Sequence, residues 1–396
     1  MTSPLLMIPG PIEISDGVRQ AAGVAPPSHV APGFIEDFGR ALELMRYVWC
    51  AAADSQPFII AGSGTLAMEM AIYNVVEPGD AAVVVNSGYF SDRMGEMLRR
   101  RGVAVTHVRC APGAVPDLEA VEAAIAAVGP ALVCATHVDT STGVRVDAAR
   151  IAASAKAHGA LSVFDGVCAT AAERFEMEAW GADIYLTASQ KAVGLPAGLA
   201  LMVASAAAMA RRAALKTPPP MYLDWDSWTP IMRAYEARRP SYFGTPATTL
   251  VGALRLGLDE ILAADSDPAR AMEARFALHQ RSADAMRAAW SAMGLSLVPT
   301  DARTAANTLS AVRYPKGVDA TLPGLIKARG VVVAGGLHPA IKTEYFRVGH
   351  MGHVLERPEA LERTVEAVGT ALNGTGFSVD VGTAKAALWA VLGEEA

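Results

Sequence analysis

The stretch LSVFDGVCATAAERFEMEAWGADIYLTASQK, residues 161–191, contains two short apolar runs separated by a longer and more polar segment. The first run ends at Asp165, and the second is followed closely by Lys191. Apolar runs of this length, joined by a crossover, are typical of parallel strands that are buried on both faces. We therefore expect Asp165 and Lys191 at the same edge of a sheet, the carboxyl edge where α/β proteins bind ligands.

The same alternation extends in both directions from this stretch. Amphipathic segments at 90–101, 118–128 and 147–158 predict the connecting helices. The pattern as a whole predicts a mostly parallel sheet covered by helices. The predicted strands are Phe58–Ala61, Ala81–Asn86, Val103–Val108, Ala131–His137, Leu161–Asp165, Asp183–Ala188 and Leu199–Ala204.

A second, smaller α/β pattern follows a connection rich in Trp and Pro (218–230) and a largely helical stretch (248–293). We therefore divide the chain into an N-terminal arm (1–16), a large domain (17–258) and a small C-terminal domain (259–396). The strands predicted in the small domain are Ser296–Val298, Thr308–Arg313, Val331–Ala334 and Tyr345–Val348.

The composition indicates a globular protein that acts on small molecules. Of the 396 residues, 52% are hydrophobic and 19% are charged, which argues against disorder. The formal charge of −6 gives no overall basic character, so we expect no nucleic-acid partner. The four cysteines are far apart and form no C-x-x-C pair, which argues against a disulfide framework or a zinc site. His350 and His353 lie in a glycine-containing segment without further ligands, so we expect no metal.

The sequence gives no reason to expect a membrane protein. The N-terminus lacks a basic region, and Pro9 and Pro11 break its apolar run, unlike a signal peptide. The uncharged stretch 192–210 is long enough to span a bilayer, but its Gly and Pro residues favour a buried strand that leads into a helix. We expect a cytoplasmic protein.

A glycine-containing turn, Gly62-Ser63-Gly64-Thr65, lies between the first predicted strand and a helix. Free backbone N–H groups at such a helix start favour a phosphate group. The spacing Gly62-x-Gly64-x-x-Ala67 also resembles a dinucleotide fingerprint, but the acidic candidate, Asp80, precedes the next strand instead of following it. Phosphate binding is the favoured interpretation, with a plain structural turn and an NAD site as alternatives.

Asp165 and Lys191 are each ordinary when taken alone, since an Asp at this position can cap a helix and most lysines lie at the surface. Together at successive strand ends they favour pyridoxal 5'-phosphate (PLP) chemistry. A carboxylate opposite a pyridinium nitrogen keeps the ring protonated as an electron sink. A lysine among small uncharged residues can have a lowered pKa and form a Schiff base.

At this point the sequence resembles class V aminotransferases of PLP fold type I. Ser189-Gln190-Lys191-Ala192, followed by Gly194, Pro196 and Gly198, resembles the cofactor-lysine segment of that family. The likeness runs from Pro9-Gly10-Pro11 to Arg347-Val348-Gly349-His350-Met351-Gly352 and is greatest to alanine–glyoxylate and serine–pyruvate aminotransferases. It implies an α/β fold with a seven-stranded, mostly parallel sheet, PLP as cofactor, and a homodimer with shared active sites.

The resemblance also implies roles for individual residues. Lys191 and Asp165 would be catalytic, and Arg347 and Gly10 would bind the substrate. Phe90 would stack on the pyridine ring, where the family often has Trp, and Tyr242 and Thr245 would reach the phosphate of the neighbouring subunit. The remaining implied cofactor ligands are Ser63, Gly64, Thr65 and Gln190 at the phosphate, Thr140 near the ring oxygen, and Val167 behind the ring.

The implied reaction is the transfer of an amino group from alanine or serine to glyoxylate or pyruvate by a ping-pong mechanism. Within the same family, a pyridoxamine–pyruvate or ureidoglycine–glyoxylate aminotransferase is an alternative. A cysteine desulfurase is disfavoured, because Cys134 and Cys168 lie in or beside predicted strands and not on a mobile loop. An NAD-dependent oxidoreductase would depend on Gly62-x-Gly64 alone. A cofactor-free scaffold would be expected to lose Lys191 or Asp165.

Overall fold

The computed structural model describes residues 4–393; the first three residues of the predicted arm and the last three of the predicted small domain lie outside them. The α-helices are α1 (Asp16–Ala22), α2 (Pro32–Val48), α3 (Gly64–Tyr73), α4 (Tyr89–Arg100), α5 (Leu118–Val128), α6 (Ala148–Ala157), α7 (Met177–Trp180), α8 (Ala206–Ala214), α9 (Trp225–Glu236), α10 (Thr248–Ile261), α11 (Pro268–Ala292), α12 (Leu322–Lys327), α13 (Pro358–Asn373) and α14 (Val381–Leu392).

The strands are β1 (Leu5–Leu6), β2 (Gln56–Ala61), β3 (Ala81–Asn86), β4 (Ala104–Arg109), β5 (Leu132–Thr136), β6 (Val138–Asp139), β7 (Val144–Arg145), β8 (Leu161–Asp165), β9 (Ile184–Ala188), β10 (Leu199–Ala204), β11 (Leu309–Arg313), β12 (Val331–Val332), β13 (Ala334–Gly335) and β14 (Tyr345–Gly349).

The central sheet has seven strands in the order β2-β10-β9-β8-β5-β3-β4. β10 runs antiparallel to both of its neighbours, and the other neighbouring pairs are parallel. Helices cover the sheet, so the strands at its centre, such as β5 and β9, are buried along their whole length. The predicted α/β fold with a mostly parallel sheet is confirmed, and all seven predicted strands form with ends shifted by at most two residues.

Register brings the polar ends of the central strands to one edge. Asp165, the last residue of β8, is paired with Thr136 at the end of β5 and with Leu186 in β9. Lys191 follows β9 by three residues, so it leaves the sheet at the same edge as Asp165. The prediction that these two residues lie at the carboxyl edge is confirmed.

The two largest hydrophobic cores of the described residues lie in different parts of the chain. The larger surrounds the seven-stranded sheet, and the smaller lies around the three-stranded sheet β11-β14-β13 and helices α12 to α14. α11 contributes to both, since Met272 and Phe276 pack in the first core and Met286 and Trp290 in the second. The domain boundary near residue 259 therefore stays a prediction.

The N-terminal segment contacts the C-terminal half of the chain, and the predicted arm at 1–16 stays a prediction. β1 pairs in parallel with β12, and Leu5 and Met7 pack in the second core. The predicted strand 331–334 is two strands, because β12 pairs with β1 whereas β13 pairs with β14. The predicted strand 296–298 was wrong: only a single bridge, Leu297 to Val312, forms there.

The predicted connection at 218–230 was also partly wrong, because α9 begins at Trp225. Asp224 caps this helix by accepting the backbone N–H of Asp226, and Trp225 and Trp228 bury its inner face. These contacts stabilise the helix despite Pro230 within it. The uncharged stretch 192–210 forms β10 and the start of α8, as predicted. None of the helices in residues 4–393 is long and apolar enough to cross a bilayer.

Candidate active site

A cavity of about 210 Å³ opens at the carboxyl edge of the sheet. A wider groove of about 390 Å³ lies at the opposite edge, and none of the predicted site residues lines it. The carboxyl-edge cavity is therefore the candidate active site. It is lined by Ser63, Gly64, Thr65, Met68, Phe90, Arg93, Val138, Thr140, Asp165, Val167, Cys168, Gln190 and Lys191.

One wall of the cavity is the first turn of α3. The side chain of Ser63 caps the helix by accepting the N–H of Leu66 at 3.4 Å. Within residues 4–393, the N–H groups of Gly64 and Thr65 have no such acceptor and remain available to an anion. A Cβ on Gly64 would lie 2.9 Å from Val167 Cγ2, so a larger residue would crowd the wall. This turn fits a phosphate group.

Asp165 is 2% exposed at the cavity floor. Burial raises the pKa of its carboxyl from 3.8 to about 6, while the N–H of Val167, which donates to Oδ1 at 2.9 Å, opposes the shift. The nearby carboxylate of Asp139 also raises this pKa, and Lys191 lowers it. A buried carboxyl in this position favours a cationic ligand group, such as a protonated pyridine nitrogen.

Lys191 enters the cavity from the loop after β9. Its Nζ donates a hydrogen bond to the carbonyl of Pro9. Burial lowers the pKa of the ammonium, as does the positive charge of Arg347. A lysine that loses its proton readily can act as a nucleophile and as a base. Gly10, which has a φ of +94°, lies against this side chain, and a Cβ there would be 2.5 Å from Lys191 Cδ.

Phe90 lines the cavity from the first turn of α4. Its backbone N–H donates to Oδ2 of Asp139 at 3.2 Å, and Asp139 Oδ1 accepts the N–H of Ser141 at 2.8 Å. The Phe90 ring lies edge to face with that of Tyr89, with the centroids 5.3 Å apart. The buried Asp139 therefore fixes the position of the aromatic wall.

Arg347, on β14, is held by carbonyl groups. Nε donates to Gly335 O at 2.9 Å, and one terminal nitrogen donates to Thr140 O at 3.2 Å. Among residues 4–393, no carboxylate forms an ion pair with Arg347. Burial lowers the pKa of its guanidinium. Its remaining N–H groups are available to a carboxylate ligand.

The chain does not bring Tyr242 and Thr245 into this cavity. Tyr242 is 62% exposed, and its hydroxyl lies 3.4 Å from that of Thr245. Its ring lies 5.5 Å from that of His29. The structure therefore separates these two residues from the other predicted cofactor ligands of the same chain.

Several site residues were missed from the sequence, notably Arg93 and Cys168 in the cavity lining and Asp139, which accepts the N–H of Phe90. Arg93 follows Phe90 by three residues on α4, and this spacing places two side chains on the same helix face. That signal was present in the sequence. Cys168 approaches the cavity only because Val167 and the turn after β8 direct it there, and its thiol lies 3.7 Å from Thr308 Oγ1.

The residues considered for other chemistries have structural partners. Asp80, the ribose-binding candidate, lies at the start of β3 and forms an ion pair with Arg211 at 2.7 Å. The buried ring of His350 contacts Ser310 Oγ and Asn307 O, whereas His353 contacts Glu356. In the part of the chain that the structure describes, no group of three or more His, Cys, Asp or Glu side chains could hold a metal ion.

The sheet topology and the cavity with Asp165 and Lys191 at its carboxyl edge define a PLP-dependent enzyme of fold type I. Comparison with known families makes the assignment specific: the sequence profile of class V aminotransferases matches residues 34–353. The chain belongs to the class V aminotransferase family and is a PLP-dependent aminotransferase.

Similar proteins support this assignment. Alanine–glyoxylate aminotransferase 1 of Saccharomyces cerevisiae is 36% identical over 361 residues, covering 88% of this chain and 91% of that protein. L-aspartate–glyoxylate aminotransferase of Paracoccus denitrificans is 33% identical over 358 residues, covering 89% and 87%. The solved structure of ureidoglycine–glyoxylate aminotransferase from Bacillus subtilis has a TM-score of 0.91 and covers 99% of this chain and 98% of that one. Its sequence identity is 24%, so this likeness shows the fold alone.

The raised pKa of Asp165 predicts a pH-dependent stability of the protein prepared without cofactor. The unfolded chain loses this proton near its ordinary pKa of 3.8 and the folded chain near 6, so stability falls as the pH rises through this window. Asp165→Asn should therefore raise the free energy of unfolding of the cofactor-free protein by about 3 kcal/mol at pH 8 and by about half of that at pH 5.

Urea unfolding of both proteins at the two pH values measures this difference. Asp80→Asn is the control, because it breaks the ion pair with Arg211 and should not stabilise at pH 8. An Asp165→Asn variant with the same relative stability at both pH values would contradict the proposed cost of burying the carboxylate.

Proposed function

We propose that this enzyme transfers the amino group of a small amino acid, alanine or serine, to glyoxylate or pyruvate by a ping-pong mechanism. The observation that carries the proposal is that one cavity of about 210 Å³ brings together the α3 turn, Asp165 and Lys191. These features suit the phosphate, the ring nitrogen and the reactive carbon of one cofactor molecule. Arg347, bonded to Thr140 in the wall of that cavity, suits the carboxylate of the substrate.

Different cavity residues would bind different parts of PLP. Bound PLP supplies an electron sink for the charge that develops at the substrate α-carbon. Asp165 would hold the proton on the nitrogen of the PLP ring. The aromatic ring of Phe90 would contact one face of the PLP ring, and the methyl groups of Val167 would contact the other. The other proposed contacts are Ser63, Gly64, Thr65 and Gln190 at the phosphate and Thr140 near the ring oxygen.

Lys191 would carry the proton during transfer. Its lowered pKa would leave a neutral amine able to take the α-proton of the donor and to return it to the C4′ carbon of the cofactor. Arg347 would fix the donor carboxylate, so that the α-proton faces Lys191. Gly10, in contact with Lys191, would lie beside the substrate, and its lack of a side chain leaves room for the lysine.

The known activities of relatives support glyoxylate as acceptor, since the yeast and Paracoccus proteins are both named as glyoxylate aminotransferases. Their donors differ, and alanine or serine suits a cavity of this size. The free N–H groups of Gly64 and Thr65 favour a phosphorylated cofactor over pyridoxamine as a substrate. We therefore prefer the alanine or serine donor over the pyridoxamine and ureidoglycine alternatives.

We also propose a cytoplasmic homodimer with shared active sites. Tyr242 and Thr245 lie outside the cavity of their own chain, and Tyr242 is largely exposed. In a symmetric dimer, the same surface on each subunit can complete the site of the other. The two hydroxyl groups would then contact the phosphate held by the partner subunit.

The absorbance spectrum tests both half-reactions. Protein reconstituted with PLP should show a visible band that alanine or serine bleaches and glyoxylate restores. Lys191→Ala should abolish turnover, because no other residue can replace its amine. Lys156→Ala, a lysine at the opposite edge of the sheet, is the control and should behave as wild type. A missing band after addition of PLP, or substantial transamination by Lys191→Ala, would defeat the assignment.

Arg347 predicts a specific kinetic effect. Loss of a charged, paired hydrogen bond to the donor carboxylate should raise the KM for alanine about 100-fold in Arg347→Ala, with a smaller change in kcat. Steady-state kinetics with alanine measures this. Ethylamine, which has no carboxylate, is the control donor and should be used equally poorly by both proteins. An unchanged KM for alanine would remove Arg347 from the substrate site.

Complementation tests whether the active sites are shared. Lys191→Ala and the double variant Tyr242→Ala/Thr245→Ala should each be inactive as homodimers. When the two variant chains are coexpressed in equal amounts, about half of the dimers contain one chain of each kind. Each of these mixed dimers has one intact site if the hydroxyls act across the interface. Activity should then recover to about a quarter of the wild-type value. No recovery in a verified mixed dimer would show that the residues act within their own chain or not at all.

A further inference from the structure

Arg93 is a charged group at the cavity that the proposed mechanism does not use. We infer that Arg93 is the cation that compensates the charge of the cofactor phosphate from within the same chain, and that it makes the site selective for the phosphorylated cofactor. The inference rests on the proposed phosphate role of the α3 turn.

The position of Arg93 is fixed by hydroxyl groups on two elements. One terminal nitrogen donates to Thr65 Oγ1 at 3.1 Å, in the first turn of α3. The other donates to Tyr89 Oη at 3.1 Å, in the first turn of α4. The guanidinium carbon lies 5.2 Å from the centre of the Phe90 ring and 5.1 Å from that of Tyr89. Arg93 is therefore held beside the free N–H groups of the α3 turn.

Its charge has no carboxylate partner within residues 4–393. The later arginines of the same helix, Arg99 and Arg100, both form ion pairs with Glu96. A guanidinium also carries more N–H donors than the two that bond Thr65 and Tyr89. Arg93 is thus a positioned cation that retains free donors at the wall of an anion-binding cavity.

The charge of a phosphate ester explains why the helix turn alone is insufficient. A phosphate monoester carries about −1.5 to −2 charges at neutral pH, whereas a helix N-terminus contributes only about half a positive charge. Lys191 and Arg347 are assigned to the reactive carbon and to the substrate carboxylate. Any phosphate oxygen that accepts the hydroxyl of Thr65 comes close to the Arg93 guanidinium, because that guanidinium bonds the same hydroxyl.

Two other roles for Arg93 predict different results when the cofactor Kd and the donor KM are both measured. If Arg93 only supports the Phe90 ring, its loss weakens the binding of phosphorylated and unphosphorylated cofactors equally. If it binds a second carboxylate of an acidic donor, its loss raises the KM of that donor and leaves cofactor affinity unchanged. The phosphate role alone predicts a loss that depends on the phosphate group.

The test compares binding of PLP and pyridoxal by absorbance titration of the full-length protein. In Arg93→Met, the Kd for PLP should rise about ten-fold or more, while the Kd for pyridoxal stays within about two-fold of wild type. Arg93→Lys, which keeps the charge but not the planar fork, should give an intermediate Kd for PLP. Inorganic phosphate should compete with PLP less well in Arg93→Met than in wild type.

Arg101→Met is the matched control. Arg101 follows the last residue of the same helix. Its guanidinium carbon lies 4.9 Å from the centre of the Tyr73 ring, and its guanidinium nitrogens donate to backbone carbonyls. Its loss should leave the ratio of the two Kd values unchanged. Equal weakening of PLP and pyridoxal in both Arg93 variants, an unchanged Kd for PLP, or a change confined to donor KM would overturn the inference. Wild-type protein that binds no PLP would instead defeat the proposed function.

Discussion

The cost of burying charge at the carboxyl edge of the sheet governs the rest of the site. Asp165, Lys191 and Arg347 each lie in low-dielectric surroundings, and burial is the main cause of each pKa shift toward the neutral form. None of the three forms an ion pair with another residue among 4–393. Asp165 accepts a hydrogen bond from a backbone N–H, and Lys191 and Arg347 donate hydrogen bonds to backbone carbonyls. Because these three groups have no ion-pair partner among the described residues, ligand groups that offset the cost of their burial would be stabilised at this edge.

The fold makes this arrangement possible by fixing the backbone that holds each group. The parallel register of β5, β8 and β9 sets the position of Asp165 independently of its side-chain contacts. Gly64 lets the first turn of α3 approach Val167, and Gly10 lets the N-terminal segment approach Lys191. Rigid strands and close backbone contacts thus hold charged groups that would otherwise move apart to reach water.

The central sheet could be predicted from the sequence because its strands are continuous apolar runs, whose burial depends mainly on local composition. α9 was not predicted in the segment rich in Trp and Pro, because its start is set by the Asp224 cap and by the burial of its tryptophans in the tertiary structure. The pairing of β1 with β12 joins residues more than 300 positions apart, and no local pattern reports it. The same reasoning explains the site: Asp165 and Lys191 follow strands and were located, whereas the contact of Arg93 with Thr65 depends on how α4 packs beside α3.

Arg347 and the aromatic wall at Phe90 are linked through two neighbouring residues, Thr140 and Ser141. Arg347 donates to the carbonyl of Thr140, and the hydroxyl of Tyr345, two positions away on β14, bonds the carbonyl of Ser141. Ser141 in turn donates to Asp139, which accepts the N–H of Phe90.

Arg347 and the aromatic wall are therefore joined through a short segment, residues 139–141. Because this segment is buried, the distance from the guanidinium of Arg347 to the ring wall is fixed by packing. If Arg347 holds the donor carboxylate as proposed, residues 139–141 set the distance from that carboxylate to the aromatic wall.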